Sequence, residues 1–199
     1  MISAPSILLL GAAGRNSGKT TFACALIERF SKKGPIVAAK VTTIRERDGT
    51  CPRGGQGCGV CAAFKDRYDI TEETVCGGAK DTQRLLASGA AQVYWLRVLK
   101  DHLEEGAAAL LERIGPDLPV VCESNSLRHV LAPGLFLQFR PADMQTVKAS
   151  ARAVQPYADH ELIWDGARFD IPPSSVEYVN DRWTLSGAGS ILNRETNTP

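Results

Sequence analysis

The chain has 199 residues, of which 44% are hydrophobic and 23% charged, with a formal net charge of +1. This length and composition suit a single domain, 1–199, with one sizeable core, and exclude a largely disordered or fibrous protein. The near-neutral balance, with no basic cluster interleaved with aromatic residues, argues against nucleic acid as a partner. The first apolar stretch lacks a charged leader and is cut by glycines, so neither a signal peptide nor a membrane span is expected, and a cytoplasmic location is.

The run Ser6-Ile7-Leu8-Leu9-Leu10-Gly11 reads as a strand, and Thr21 to Phe30, with Phe22, Leu26, Ile27 and Phe30 at helical spacing, reads as a helix. Between them lies Ala13-Gly14-Arg15-Asn16-Ser17-Gly18-Lys19-Thr20. A strand, a glycine-rich turn and a helix are the context required by the phosphate-binding pattern G-x-x-x-x-G-K-[ST]. There, backbone N–H groups curl around phosphates, a Lys reaches the β/γ oxygens and a hydroxyl meets Mg²⁺. Gly18, Lys19 and Thr20 supply the second half of the pattern, while Ala13 stands at its first Gly with Gly11 and Gly14 on either side. The expected nucleotide-binding residues are Gly14, Arg15, Asn16, Ser17, Gly18, Lys19, Thr20 and Thr21. Arg15 is placed to stabilise charge on a transferring phosphoryl group.

Further along, Pro35 to Val41 is expected as a buried parallel strand ending at Lys40, followed by a Gly-, Arg-, Asp- and Cys-rich insertion over about 45–79 in which only 66–75 has regular character. Helices are expected over 80–88, 101–114 and 142–153, and strands over 91–97, 118–123, 135–139 and 160–164. The alternation defines an α/β fold, a doubly wound, mainly parallel sheet of P-loop NTPase type. Residues 176–185 alternate around Asn180-Asp181 and are expected as a C-terminal edge hairpin, and 186–199 as loose chain.

Phosphoryl chemistry on such a loop needs a carboxylate at the end of a neighbouring buried strand to hold Mg²⁺ or its water. Glu123, which closes Val120-Val121-Cys122 and precedes Ser124-Asn125-Ser126, is the expected one; Lys19, Glu123 and Arg15 are the catalytic candidates, with Thr20 and Glu123 on Mg²⁺. Asp48 is a switch-like candidate. The insertion carries Cys51, Cys58, Cys61 and Cys76 at spacings of six, two and fourteen residues. Four thiolates suit a structural zinc site or, alternatively, an iron–sulfur cluster, and free thiols are the third reading. Cys24 and Cys122 read as small core residues.

Gly14 to Thr21, Lys40, Lys80-Asp81-Thr82-Gln83-Arg84 followed by Gly89-Ala90, and a strand ending in Glu123 together resemble the molybdopterin-guanine dinucleotide biosynthesis protein B family over about residues 6–125. The resemblance implies a cytoplasmic, often dimeric, GTP-linked nucleotide-binding protein that assists attachment of a nucleotide to the molybdenum cofactor and meets partners of that pathway. It makes Asp81 and Arg84 site candidates alongside Lys40. The cysteine insertion, the lack of a histidine-rich stretch after Lys40, and Ser124 after Glu123 depart from that family. A small-molecule kinase of the same topology, and a non-catalytic nucleotide-binding metal or redox sensor, are the alternatives. Gln138 to Asp143 stands where guanine readers carry Asn-Lys-x-Asp, which favours ATP over GTP.

Overall fold

The computed structural model describes residues 1–44 and 66–186. Their centre is a sheet built on β1 (Ile2–Ala12), whose Ile7 to Leu10 are almost wholly removed from water. Such a continuous apolar run needs cover on both faces, and the chain supplies it. Residues Ile7 and Leu9 pack with α3 (Leu103–Ile114), whereas Leu8 and Leu10 pack with α1 (Lys19–Phe30) and α2 (Asp81–Ala87). On α1 the buried positions are Phe22, Ala23, Leu26, Ile27 and Phe30, one stripe at helical spacing.

The remaining strands are β2 (Val37–Ile44), β3 (Tyr68–Glu72), β4 (Gln92–Leu99), β5 (Val120–Glu123), β6 (Leu131–Pro141) and β7 (His160–Trp164). Among the described residues the sheet has seven strands in the order β3-β4-β2-β5-β1-β6-β7. All neighbours run parallel except β3, which pairs antiparallel with β4 at the edge. The α/β, doubly wound reading therefore holds. Strand β1 lies between β5 and β6, and the chain leaves it first toward one side of the sheet and later toward the other, so the strands' carboxyl ends open a crevice beside β1.

Three local expectations are corrected. Lys40 does not end its strand: β2 continues to Ile44 because Val41 to Ile44 pair with Leu96 to Leu99, and it is β5 that stops level with Lys40, at Glu123. The helix expected over 142–153 shrinks to α4 (Ala149–Arg152). Its first half is drawn elsewhere, with Ala142 N–H donating to Trp164 O at 2.8 Å and Lys148 N–H to Ala13 O at 2.9 Å. The hairpin at 176–185 forms, as β8 (Val176–Val179) and β9 (Arg182–Leu185), with Asn180 and Asp181 both left-handed as its turn type demands. It is a separate two-stranded sheet and not an edge of the main one. It docks by burying Trp183 against Phe30 and donating from the indole N–H to Ser6 O at 2.7 Å. The described part of the cysteine-rich segment, 66–79, joins the main sheet through β3. The expected loose tail from 187 onward lies outside the described residues.

Candidate functional site

Side-chain alternation places the key carboxylate. Val121 faces α1 and Cys122 faces α3, so Glu123, one residue on, faces the start of α1. There Lys19, the first residue of α1, donates from Nζ to Glu123 Oε2 at 2.6 Å, with the carboxylate side chain fully buried and the lysine 19% exposed. Glu123 Oε1 is buried and has no hydrogen-bond partner. A buried carboxylate oxygen left unpaired is costly, and its natural complement is a cation.

The same alternation puts Lys40 on the face of Ala38, toward α2. Its ammonium pairs with Asp81 Oδ2 at the head of α2, and Asp81 Oδ1 accepts from the Thr20 hydroxyl at 3.4 Å. Burial pushes the Asp81 carboxyl up, but the hydrogen bond and charge of Lys40, with help from Lys19 and Thr20, outweigh it and hold it below its ordinary 3.8. Asp81 is thus an anion throughout the neutral range. Arg84, one turn on, reaches the Thr21 hydroxyl at 3.5 Å. On the opposite face Thr43 and Ser126 share a hydrogen bond between their hydroxyls, and Ser124 Oγ lies 3.3 Å from Ser126 Oγ.

The loop between β1 and α1 turns through left-handed Asn16, at φ 55°, and Gly18, at φ 74°. Asn tolerates that conformation and Gly favours it, and such residues build the concave N–H nests that hold anions. The loop is braced from both sides. Asn125 accepts from Ala12 N–H at 2.7 Å and donates to Ala12 O at 3.0 Å, an approach open only because Gly11 lacks a Cβ, which would fall 2.6 Å from Asn125 Oδ1. A Cβ on Gly14 would meet Met144 Cε at 1.9 Å, and one on Gly18 would meet Trp164 and Phe169 at 2.8 Å. The departure at Ala13 fits this packing: the residue is buried and its N–H donates to Phe139 O at 2.7 Å.

A cleft of about 1430 Å³ opens over these groups, lined by the loop from Gly14 to Thr21, by Lys40, Asp81, Arg84 and Glu123, and by Trp164 at the end of β7. Of the residues expected for the site, Gly14, Arg15, Asn16, Ser17, Gly18, Lys19, Thr20, Thr21, Lys40, Asp81, Arg84 and Glu123 are brought together here. Asp48, Cys51, Cys58 and Cys61 lie outside the described residues, and Cys76 is exposed between β3 and α2. Among the described residues no group of three or more His, Cys, Asp and Glu side chains is gathered as for a metal ion. Sequence reading missed Met144, Trp164 and the role of Asn125 as a clamp. Only Trp164 left a signal, an aromatic residue at the carboxyl end of a parallel strand.

Fold and cleft together define an α/β protein whose polar site stands at the carboxyl ends of a doubly wound sheet. Comparisons with family models, curated proteins and solved structures found no match to this chain.

Proposed function

We propose that the chain is a Mg²⁺-dependent nucleoside triphosphate-binding protein of the P-loop type that releases or transfers the terminal phosphate. The observation that carries this reading is the Lys19–Glu123 pair, with its buried, unpartnered Glu123 Oε1, at the head of a helix that follows a glycine-bearing loop. The loop N–H groups and Lys19 would hold the β and γ phosphates, and Arg15 would face the group in transfer. The Thr20 hydroxyl and Glu123 fit a hard divalent cation, since both offer oxygen. Mg²⁺ there would neutralise charge on the phosphates. Asp81 orients the Thr20 hydroxyl and anchors Lys40, which stands level with Glu123 on the neighbouring strand and is placed to meet an anionic substrate.

The resemblance to the molybdenum-cofactor family makes an accessory role in cofactor biosynthesis the leading biological setting, with a protein partner and a homodimer as its corollaries. A small-molecule kinase is the second reading, favoured by the cleft's volume of about 1430 Å³, which leaves room beside a nucleotide for an acceptor near Thr43 and Ser126. Zinc or an iron–sulfur cluster on the four insertion cysteines stays a proposal from their spacing. The experiment is nucleotide binding and phosphate release with ATP and GTP, with and without Mg²⁺, on the wild type and on Glu123→Gln. Retained binding in the variant, with a Mg²⁺ requirement raised by at least about tenfold, supports the assignment. Phosphate release without an acceptor favours the first setting and acceptor-dependent transfer the kinase; no binding of either nucleotide by the wild type overturns both.

A further inference from the structure

One wall of the cleft carries an indole. Trp164, the last residue of β7, lines it beside the phosphate loop and is partly exposed. One side of the indole packs on Phe169, with ring centroids 4.3 Å apart and planes inclined by 36°. Phe169 meets Phe22 of α1 edge-on at 5.0 Å. Both rings press on Gly18, so the aromatic pair and the phosphate loop form one packed unit. The turn that brings Phe169 back under Trp164 is tied by Asp165, whose Oδ1 accepts from Arg168 N–H at 2.6 Å and Ala167 N–H at 2.7 Å. Asp170 adds a bond from Ile163 N–H at 2.8 Å. An indole held this firmly loses little freedom when a flat partner lands on it, which is the condition for productive stacking.

Position says what that partner is. The carboxylates and Lys40 belong to the β5 and β2 side of β1, whereas Trp164 belongs to the far side, beyond β6. A nucleotide whose terminal phosphates faced Glu123 would have Trp164 across β1 and β6 from those phosphates, on the cleft's other side. Met144, against Gly14, and the Lys148 N–H to Ala13 O bond close the loop on the β6 side. From these relations we propose that Trp164 is the stacking platform for the base of a nucleoside triphosphate, and that the site reads the base by its face. Every base presents a π-face, so stacking tolerates the choice of base, and adenine and guanine are accepted with similar affinity.

This inference rests on the phosphate-loop reading, and the test separates the two. Calorimetric titration of the full chain uses MgATP, MgGTP and inorganic tripolyphosphate with Mg²⁺, on wild type, Trp164→Ala and Trp164→Phe. Trp164→Ala is expected to weaken ATP and GTP alike by about 10- to 100-fold, and tripolyphosphate, which feels only the loosened brace on Gly18, by a much smaller factor. Trp164→Phe, which keeps a ring, is expected to retain most of the affinity. Unchanged nucleotide affinity in Trp164→Ala, a loss confined to one purine, or an equal loss of tripolyphosphate would overturn the platform. A wild type that binds tripolyphosphate as tightly as nucleotides overturns the platform and spares the phosphate loop. A wild type that binds none of the three overturns both.

Discussion

Lys19 Nζ and Glu123 Oε2 stand 2.6 Å apart although 104 residues separate them in the chain, and the carboxylate is closed to water. The pair joins the first helix to the fourth strand that follows it, and it brings the two charges that phosphate and metal would each claim to within hydrogen-bonding distance.

The energetic weight of that pair is open to measurement. Lys19→Ala leaves a buried carboxylate with neither oxygen satisfied, so urea denaturation is expected to show a loss of about 3–5 kcal/mol, together with loss of nucleotide binding. The double variant Lys19→Met with Glu123→Leu replaces both charges with apolar groups of similar size. It is expected to recover most of that stability. Strictly additive losses would show that the two residues do not depend on each other.

Gly18→Ala is expected to lower the melting temperature and weaken nucleotide binding together. The residue sits at φ 74°, where a Cβ is strained, and that Cβ would lie 2.8 Å from both Trp164 and Phe169. The combined cost is about 2 kcal/mol or more. Gly34→Ala, at a position with nothing within 4 Å, is the control and is expected to stay within about 0.5 kcal/mol of the wild type. Matching melts for the two variants would refute the packing of the aromatic pair on the loop.

Burial pushes the Cys122 thiol up to about 12 from an ordinary 9.0, with the nearby Lys19 charge opposing and Glu123 reinforcing the shift. A folded-state value above the unfolded one means that the stabilisation is complete below pH 9 and is lost as the pH rises from about 9 toward about 12. Unfolding free energies measured by denaturant titration across this range are expected to fall faster for the wild type than for Cys122→Ala, by up to about 1.4 kcal/mol per pH unit. Parallel curves would place the thiol in contact with solvent.

For the insertion, protein purified without oxygen is expected to carry about one zinc per chain, or iron with visible absorption, because four thiolates close a tetrahedral site. Replacing Cys58 and Cys61 with Ser is expected to abolish the metal. Elemental analysis finding neither metal in the wild type would remove the site.

The sequence by itself determined the architecture's rhythm and the centre of the cleft. Ile7 to Leu10, the loop to Thr20 and the apolar stripe of α1 are contiguous, so strand, turn and helix were legible as local pattern, as was Glu123 at the tip of a short apolar run. Tertiary structure alone decided what is non-local. Residues 142–148 abandon a helical pattern because their backbone groups find partners on β7 and on Ala13 after β1. Lys40 turned out to sit mid-strand, since the length of β2 is set by its pairing with β4. The hairpin left the sheet edge because burying Trp183 against Phe30 and β1 satisfies its apolar face there. The meeting of Gly18 with Trp164 and Phe169 spans some 150 residues. Local propensity operates over a few residues, whereas burial and hydrogen-bond satisfaction are settled by whatever the whole chain brings alongside, so contacts of this kind emerge only on folding.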